Sequence, residues 1–277
     1  MTRAVALDAD YHVHSVFSDG ASTIDENVLA ARERGLRTLC LVDHVRAGTG
    51  WVADFVRAVW PLRALAGIEI LAGVEAKILD RAGRLDLPAS IAGTDLLLIA
   101  DHQFPGDDGP VDPQVMRAAL ESGEVSPPDA IGCLVEATAG ALRAASRAAQ
   151  RPLLAHLFSV LPKMGLDEAQ VPGPMLGMLA DEASLAGALV EVNEKWGCPS
   201  ARSLQAFSQA GVQVVASTDS HDCADIGRYA QVRRILAEAA RLSQAGTASA
   251  AAPAGAGPSG QAGRGRAAGE TATGPSP

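Results

Sequence analysis

The chain has 277 residues, 48% of them hydrophobic, which is enough for one large domain or two small ones with a sizeable core. Its net charge of −9 argues against a broad nucleic-acid surface, because phosphate backbones are held mainly by Lys and Arg. No apolar run approaches the roughly 20 residues that cross a bilayer, and Met1-Thr2-Arg3-Ala4 runs on without a signal-peptide core, so a cytoplasmic protein without membrane contact is expected.

Residues 4–9 read as a first strand that ends at the pair His12-Val13-His14. Thr23 and Glu26 form a capping box, and helical periodicity follows through Ile24, Val28, Leu29 and Ala31 until Gly35. Residues 38–42 are a buried strand that delivers Asp43-His44. An amphipathic stretch over 51–66 is broken at Pro61, and residues 68–74 form a third strand delivering Glu75. Residues 77–87, with Arg81-Ala82-Gly83-Arg84 between apolar flanks, predict a hairpin. A strand over 95–100 delivers Asp101-His102, a Gly/Asp/Pro-rich loop follows, and an Ala-rich helix spans 130–149. Three more strands are expected at 152–155, 188–192 and 212–216, delivering His156, then carrying Glu191 and Asn193, then delivering Asp219-Ser220-His221.

Strands alternating with helices imply parallel strands joined by crossover helices. Seven such units around one set of polar residues suggest an α/β fold, a distorted (β/α)7 barrel, with its site where the loops leave the strand ends. From Gln244 to Pro277, 29 of 34 residues are Ala, Gly, Pro, Ser or Thr, so the barrel is expected over 1–243 and a disordered tail over 244–277.

The four cysteines form no Cys-x-x-Cys pair, so neither a disulfide framework nor a thiolate zinc site is indicated. The six histidines, His12, His14, His44, His102, His156 and His221, all fall at or just beyond the ends of apolar runs. In an extended chain residues i and i+2 share a face, so His12 and His14 can hold one ion together. Any one of these histidines also reads as an ordinary polar residue, and Asp19 before Gly20 also reads as a tight-turn residue. As a set, the histidines with Asp19, Glu75 and Asp219 offer more ligands than one ion takes, and imidazole with carboxylate suits zinc, manganese or iron. Two or three divalent ions would use them all. Such a cluster can acidify water and clamp a phosphoryl group, which makes phosphate-ester hydrolysis the natural chemistry. Neither a Gly-x-x-x-x-Gly-Lys loop nor a Gly-x-Gly-x-x-Gly fingerprint is present.

Several stretches together resemble the PHP (polymerase and histidinol phosphatase) superfamily of metal-dependent phosphoesterases. They are Asp10-Tyr11-His12-Val13-His14-Ser15, Ser18-Asp19-Gly20, Asp43-His44, Gly73-Val74-Glu75, His102, Leu154-Ala155-His156, Glu191-Val192-Asn193 and Ser217-Thr218-Asp219-Ser220-His221. The resemblance implies a seven-stranded barrel with a trinuclear site. One ion would be held by His12, His14, Glu75 and Asp219, a second by Glu75, His102 and His156, and a third by Asp19, His44 and His221. It also implies a metal-bridging hydroxide as the nucleophile. Lys195, one of three lysines in the chain, and Arg228 are candidates to meet the phosphate charge, and both also read as solvated surface charges.

The family includes histidinol-phosphate phosphatases, nucleotide phosphatases and polymerase-linked exonucleases. The acidic body favours a free-standing enzyme acting on a small-molecule phosphomonoester, either histidinol phosphate or a nucleotide-like phosphate. A phosphodiesterase or nuclease with the same metals, and a non-catalytic module, stay open. The loop 106–128 and the segment 164–178 are expected to shape the pocket.

Overall fold

The computed structural model describes residues 5–250. In chain order the elements are β1 (Ala9–Val13), α1 (Ile24–Glu33), β2 (Thr38–Val45), α2 (Val52–Val59), α3 (Leu62–Leu65), β3 (Glu69–Lys77) and β4 (Leu96–Ala100). The short pair β5 (Phe104–Pro105) and β6 (Pro110–Val111) comes next, then α4 (Pro113–Ser122), α5 (Pro127–Ala145), β7 (Arg151–Ala155) and α6 (Val160–Lys163). The chain continues through α7 (Gly173–Leu185), β8 (Leu189–Asn193), α8 (Ala201–Gln209), β9 (Gln213–Ser217) and α9 (Gln231–Ala250).

Seven strands form one parallel sheet in the order β1-β2-β3-β4-β7-β8-β9. The sheet curls until its edges meet: Val13 bridges Ser220, His14 N–H donates to Ser220 O at 2.8 Å, and Ser220 N–H donates to His12 O at 3.3 Å. The result is the expected barrel, nearly closed.

The lumen is filled with side chains. Cys40, Val42, Leu96, Leu98, Leu153, Leu189 and Val215 form one buried cluster there, joined by Tyr11. Gly73 lies among them, and a Cβ at that position would meet Val42, Leu98 and Cys40 at 3.1–3.3 Å. Outside, α1 and α2 cover Leu39, Leu41 and Ile70; α5 and α7 cover Val74, Leu97, Ile99 and Leu154; α8 and α9 cover Val192 and Ala216. Parallel strands buried on both faces read as continuous apolar runs, which is why the runs marked the barrel so well. The capping box is present, with Glu26 N–H donating to Thr23 Oγ1 at 3.3 Å and Thr23 N–H to Glu26 Oε2 at 2.8 Å.

Several boundaries differ from expectation. The first strand is Ala9–Val13 rather than 4–9, β2 runs on to Val45, and β3 runs on to Lys77, so His12, His44 and Glu75 lie within strands. Apolar runs stop where the lumen turns polar, but the backbone ladder does not. Val5 and Leu7 instead pack against the α8–α9 cluster. In the stretch 77–87, Ile78 bridges Leu85 and Leu79 N–H donates to Arg84 O at 2.7 Å, a short hairpin as expected. The segment 106–128 contains α4, capped by Asp112 accepting from Gln114 N–H. The expected tail from Gln244 begins as helix, since α9 continues to Ala250, in keeping with the high helix propensity of alanine. Its remainder, 251–277, lies outside the described residues. Among the described residues no helix is long and apolar enough to cross a membrane.

Candidate metal centre

All nine residues singled out from the sequence lie at the carboxyl-terminal mouth of the barrel. Their placement begins with a register shift between Asp10 and Val13, where three residues of β1 oppose two of β2. This bulge breaks the strand's alternation. Asp10 reaches the seam, where its carboxylate accepts from Thr218 N–H (2.9 Å), Thr218 Oγ1–H (2.6 Å) and Gly227 N–H (3.0 Å). His12 turns inward beside His14, and their Nε2 atoms stand 3.0 Å apart. Asn27 on α1 donates to His14 O at 2.8 Å. Asp43 accepts from Ser15 N–H (3.0 Å), Ser15 Oγ–H (2.6 Å) and Ser18 Oγ–H (2.6 Å), shaping the turn that presents Asp19.

Glu75 sits at the centre, 1% exposed. Its Oε1 lies 2.9 Å from His156 Nε2 and 3.1 Å from His102 Nε2. Its Oε2 lies 3.4 Å from His12 Nε2 and 3.5 Å from His14 Nε2. Asp219 Oδ1 completes that second group, 3.2 Å from His14 Nε2 and 3.9 Å from His12 Nε2. Toward solvent, Asp19 faces His44 Nε2 and His221 Nε2 at 3.5 Å each and His14 Nδ1 at 3.8 Å. His44 is shared, because its Nδ1 lies 2.7 Å from Glu75 Oε2 while its Nε2 faces Asp19.

This geometry fits cations. Four ligands held about 2.0–2.2 Å from a zinc ion stand roughly 3.3–3.6 Å apart, the spacing of Glu75 Oε2 from His12 Nε2 and His14 Nε2. His14 Nδ1 is buried without a hydrogen-bond partner among the described residues. Buried polar atoms are normally paired, so this orphan, on a ring beside the carboxylates of Asp19 and Glu75, marks a place where positive charge belongs. Ligand atoms of His14, Asp19, His44 and His221 also lie within 4.8 Å of one another, as do those of His12, His14 and Asp219 and those of His44, Glu75 and His102.

Deeper residues fix which ring nitrogen each histidine offers. Glu191 faces His12 Nδ1 at 3.1 Å and accepts from His156 N–H and Asn193 Nδ2–H, both at 2.7 Å, leaving His12 Nε2 for the centre. His156 Nδ1 lies 3.4 Å from Asp101 and 3.0 Å from Ser159 Oγ, which turns its Nε2 to Glu75. Outer carboxylates of this kind set the tautomer and raise ligand basicity. His156 and Asp219 both occupy left-handed backbone, with φ of 30° and 53°. Such conformations cost roughly 1–3 kcal/mol each and persist where surrounding contacts impose them.

The charges are mutually supporting. Burial disfavours the ionised form of Glu75, but its neighbours His102 and His12 outweigh it and hold its carboxyl well below the usual range. Asp219 is held low in the same way, against burial, by His12 and by its hydrogen bond with His14. Burial likewise opposes charge on His156, yet Asp101 and Glu75 raise it to about 10. His14 differs: burial, with His12 close by, lowers it to about 4. In the metal-free protein, protons on His12 and His156 therefore stand where metal charge would stand.

Two clefts of about 560 Å³ each open from the mouth. One is bounded by Phe17, His44, Arg46, Trp51, Lys77 and His102, the other by Asp19, Glu194, Lys195, Asp219, His221 and Arg228. Lys195 Nζ lies 3.2 Å from His221 Nδ1 and 3.7 Å from Asp219 Oδ1, whereas Arg228 is exposed farther along the same cleft. The segments 106–128 and 164–178 line neither cleft. The first is occupied by α4 and the start of α5, and the second by a turn and α7, which pack on the barrel's flank. Glu191, Asp101, Asp43 and Asp10 are functional supports that the sequence reading did not single out as such. The signal for Glu191 and Asn193 was their alternation on a strand otherwise apolar.

Residues 10–121 match the PHP domain family. A protein of Caldanaerobacter subterraneus named as a probable phosphatase is 26% identical over 245 residues, covering 83% of this chain and 82% of that one. One of Vibrio vulnificus with the same description is 35% identical over 136 residues, covering 46% of this chain and 53% of its own length. In fold, the chain is similar to the crystal structure of histidinol phosphate phosphatase from Lactococcus lactis, solved with zinc, L-histidinol and phosphate. The TM-score is 0.61 at 18% identity, covering 83% of this chain and 93% of that one. The family match takes in His12, His14, Asp19, His44, Glu75 and His102, and the rest of the barrel brings His156, Asp219 and His221 to the same mouth.

Proposed function

We propose that the protein is a metal-dependent phosphatase that hydrolyses a small-molecule phosphomonoester at the barrel mouth. One observation carries the reading: the buried carboxylate of Glu75 faces histidine nitrogens with both oxygens, His102 and His156 at one and His12, His14 and His44 at the other. A carboxylate so placed is built to bridge two cations. Its donor set of imidazole and carboxylate suits zinc, manganese or iron.

The residues that would hold the ions are His12, His14, Glu75 and Asp219 for one, Glu75, His102 and His156 for a second, and Asp19, His44 and His221 for a third. Ions bound there would neutralise charge at a phosphoryl oxygen and acidify water near neutral pH. The protein's own part is to hold these side chains in register before substrate arrives, with Glu191 and Asp101 orienting His12 and His156. Lys195, beside Asp219 and His221, offers an ammonium to a phosphate entering from its cleft, and Arg228 lies along the same approach. The related phosphatases support this reading, and the two clefts are of a size for a small leaving group.

The test is metal content of the purified protein together with phosphate release from histidinol phosphate, nucleoside monophosphates, sugar phosphates and a phosphodiester. Two or three ions per chain with turnover of a monoester is the expected result. Turnover of the diester alone would favour the phosphodiesterase reading. Absence of metal and of turnover after adding zinc, manganese or iron would overturn both.

A further inference from the structure

The loop after β8 places an indole against the centre. Trp196 is held at its backbone, with its N–H donating to Asn193 Oδ1 at 3.0 Å. Its Nε1–H donates to Asp219 Oδ2 at 2.8 Å. The other oxygen of that carboxylate, Oδ1, is the one that faces His14 and His12. The indole lies beside His156, with ring centroids 6.0 Å apart and planes tilted by 53°. Lys163 Nζ stands 4.1 Å from its ring centroid and Lys195 Nζ 5.9 Å.

We infer that Trp196 is a positioning residue of the metal centre, its indole N–H holding Asp219 so that a single oxygen, Oδ1, is presented to the ions. This rests on the metal-dependent reading above. The chemistry favours an indole for the task. Its N–H donates and offers no lone pair, so it binds one carboxylate oxygen without competing as a ligand. Asp219 sits on left-handed backbone, a conformation that surrounding contacts must enforce, and the Trp196 bond acts on its side chain. Trp196 is 40% exposed, so its position depends on the contacts that hold it. Lys163 supplies that hold through the attraction of an ammonium for an aromatic face. Trp196 thus connects α6 to the ligand beyond β9, two elements far apart in sequence.

Trp196→Phe keeps the ring and removes the donor. Metal affinity, measured by competition with a chelator, is expected to weaken roughly 10–100-fold for at least one ion, the usual effect of losing such an orienting partner. Trp60→Phe, remote from the mouth, serves as the control and should bind as the wild type does. A purely structural role for Trp196 would lower the unfolding temperature of the metal-free protein and leave metal affinity unchanged, and that result overturns the inference. Should Trp196→Phe fail to fold, indole N–H exchange in the wild-type protein decides, with signals assigned through Trp51→Phe and Trp60→Phe. A Trp196 N–H that exchanges more slowly than that of Trp60 supports the bond to Asp219, and one that exchanges as fast refutes it. Wild-type protein that takes up no metal would refute the metal-dependent reading itself, whereas metal uptake equal in wild type and Trp196→Phe refutes only this inference.

Discussion

Glu75 concentrates the electrostatics of the mouth in one side chain. Replacing it by Ala leaves His12, His102 and His156 facing one another without the carboxylate that balances them. Breaking a buried charge pair in this way costs roughly 3–5 kcal/mol. Glu75→Ala is therefore expected to lose more than one ion per chain and to lower the stability of the metal-free protein, read from elemental analysis and urea unfolding. The protons held by His12 and His156 give a second expectation. Both are raised above the ordinary imidazole value of 6.5, His156 to about 10, because the carboxylates around them outweigh the burial that opposes their charge. A group raised in the folded state stabilises fully below its unfolded value and loses that contribution as pH climbs through its folded one. The metal-free protein should thus weaken between pH 6.5 and about 10, measured by urea midpoints across that range. Metal must displace the same protons, so loading should release acid in weakly buffered solution and affinity should rise with pH. The clustering of these side chains was legible because histidine is scarce and each one fell at or just beyond an apolar run. Glu191 was not, since its role depends on His12, 179 positions away.

Elements were legible to the extent that burial alone shaped them. Six of the seven barrel strands showed as apolar runs, and those of β2 and β3 ended short where lumen residues become polar, so His44 and Glu75 read as lying just past strands that contain them, while the run over 4–9 shares only Ala9 with β1. Helix α4 was hidden by its Gly/Asp/Pro-rich approach, although Asp112 followed by Pro113 is a proper helix start. Contact between elements was not legible at all. The hairpin tip at Ala82-Gly83 approaches α5 backbone to backbone: a Cβ on Gly140 would stand 2.5 Å from Ala82 O, and one on Gly83 would stand 2.3 Å from Ala141 N. Gly83 also has φ of +81°, which favours glycine. Gly140→Ala is expected to destabilise by about 1–3 kcal/mol through overpacking, checked by urea unfolding, with metal content unchanged.

At the scale of the molecule the barrel wall is uneven. Six neighbouring strand pairs are joined by parallel ladders, whereas β1 and β9 are closed at the segment after β9, by the Val13–Ser220 bridge and the Asp10 carboxylate bound to Thr218 and Gly227. Burial raises Asp10 to about 6, a sign of how far this carboxylate is removed from water. Asp10→Ala strands its donors and should cost about 1.5–3 kcal/mol for the lost bonds to a charged group, with metal affinity falling as the mouth loosens. Unfolding with and without added zinc measures both. His12 and His14 stand on one side of this seam, Asp219 and His221 on the other. An ion held between them would complete the circumference where the peptide ladder leaves off. Anything that binds the folded state alone shifts folding toward that state, and here the shift acts at the seam, whose opening would bare two strand edges where chains pair wrongly or are cut. Metal supply would then govern how long each molecule survives as well as how fast it works, with starvation for the ion felt first as turnover of the protein.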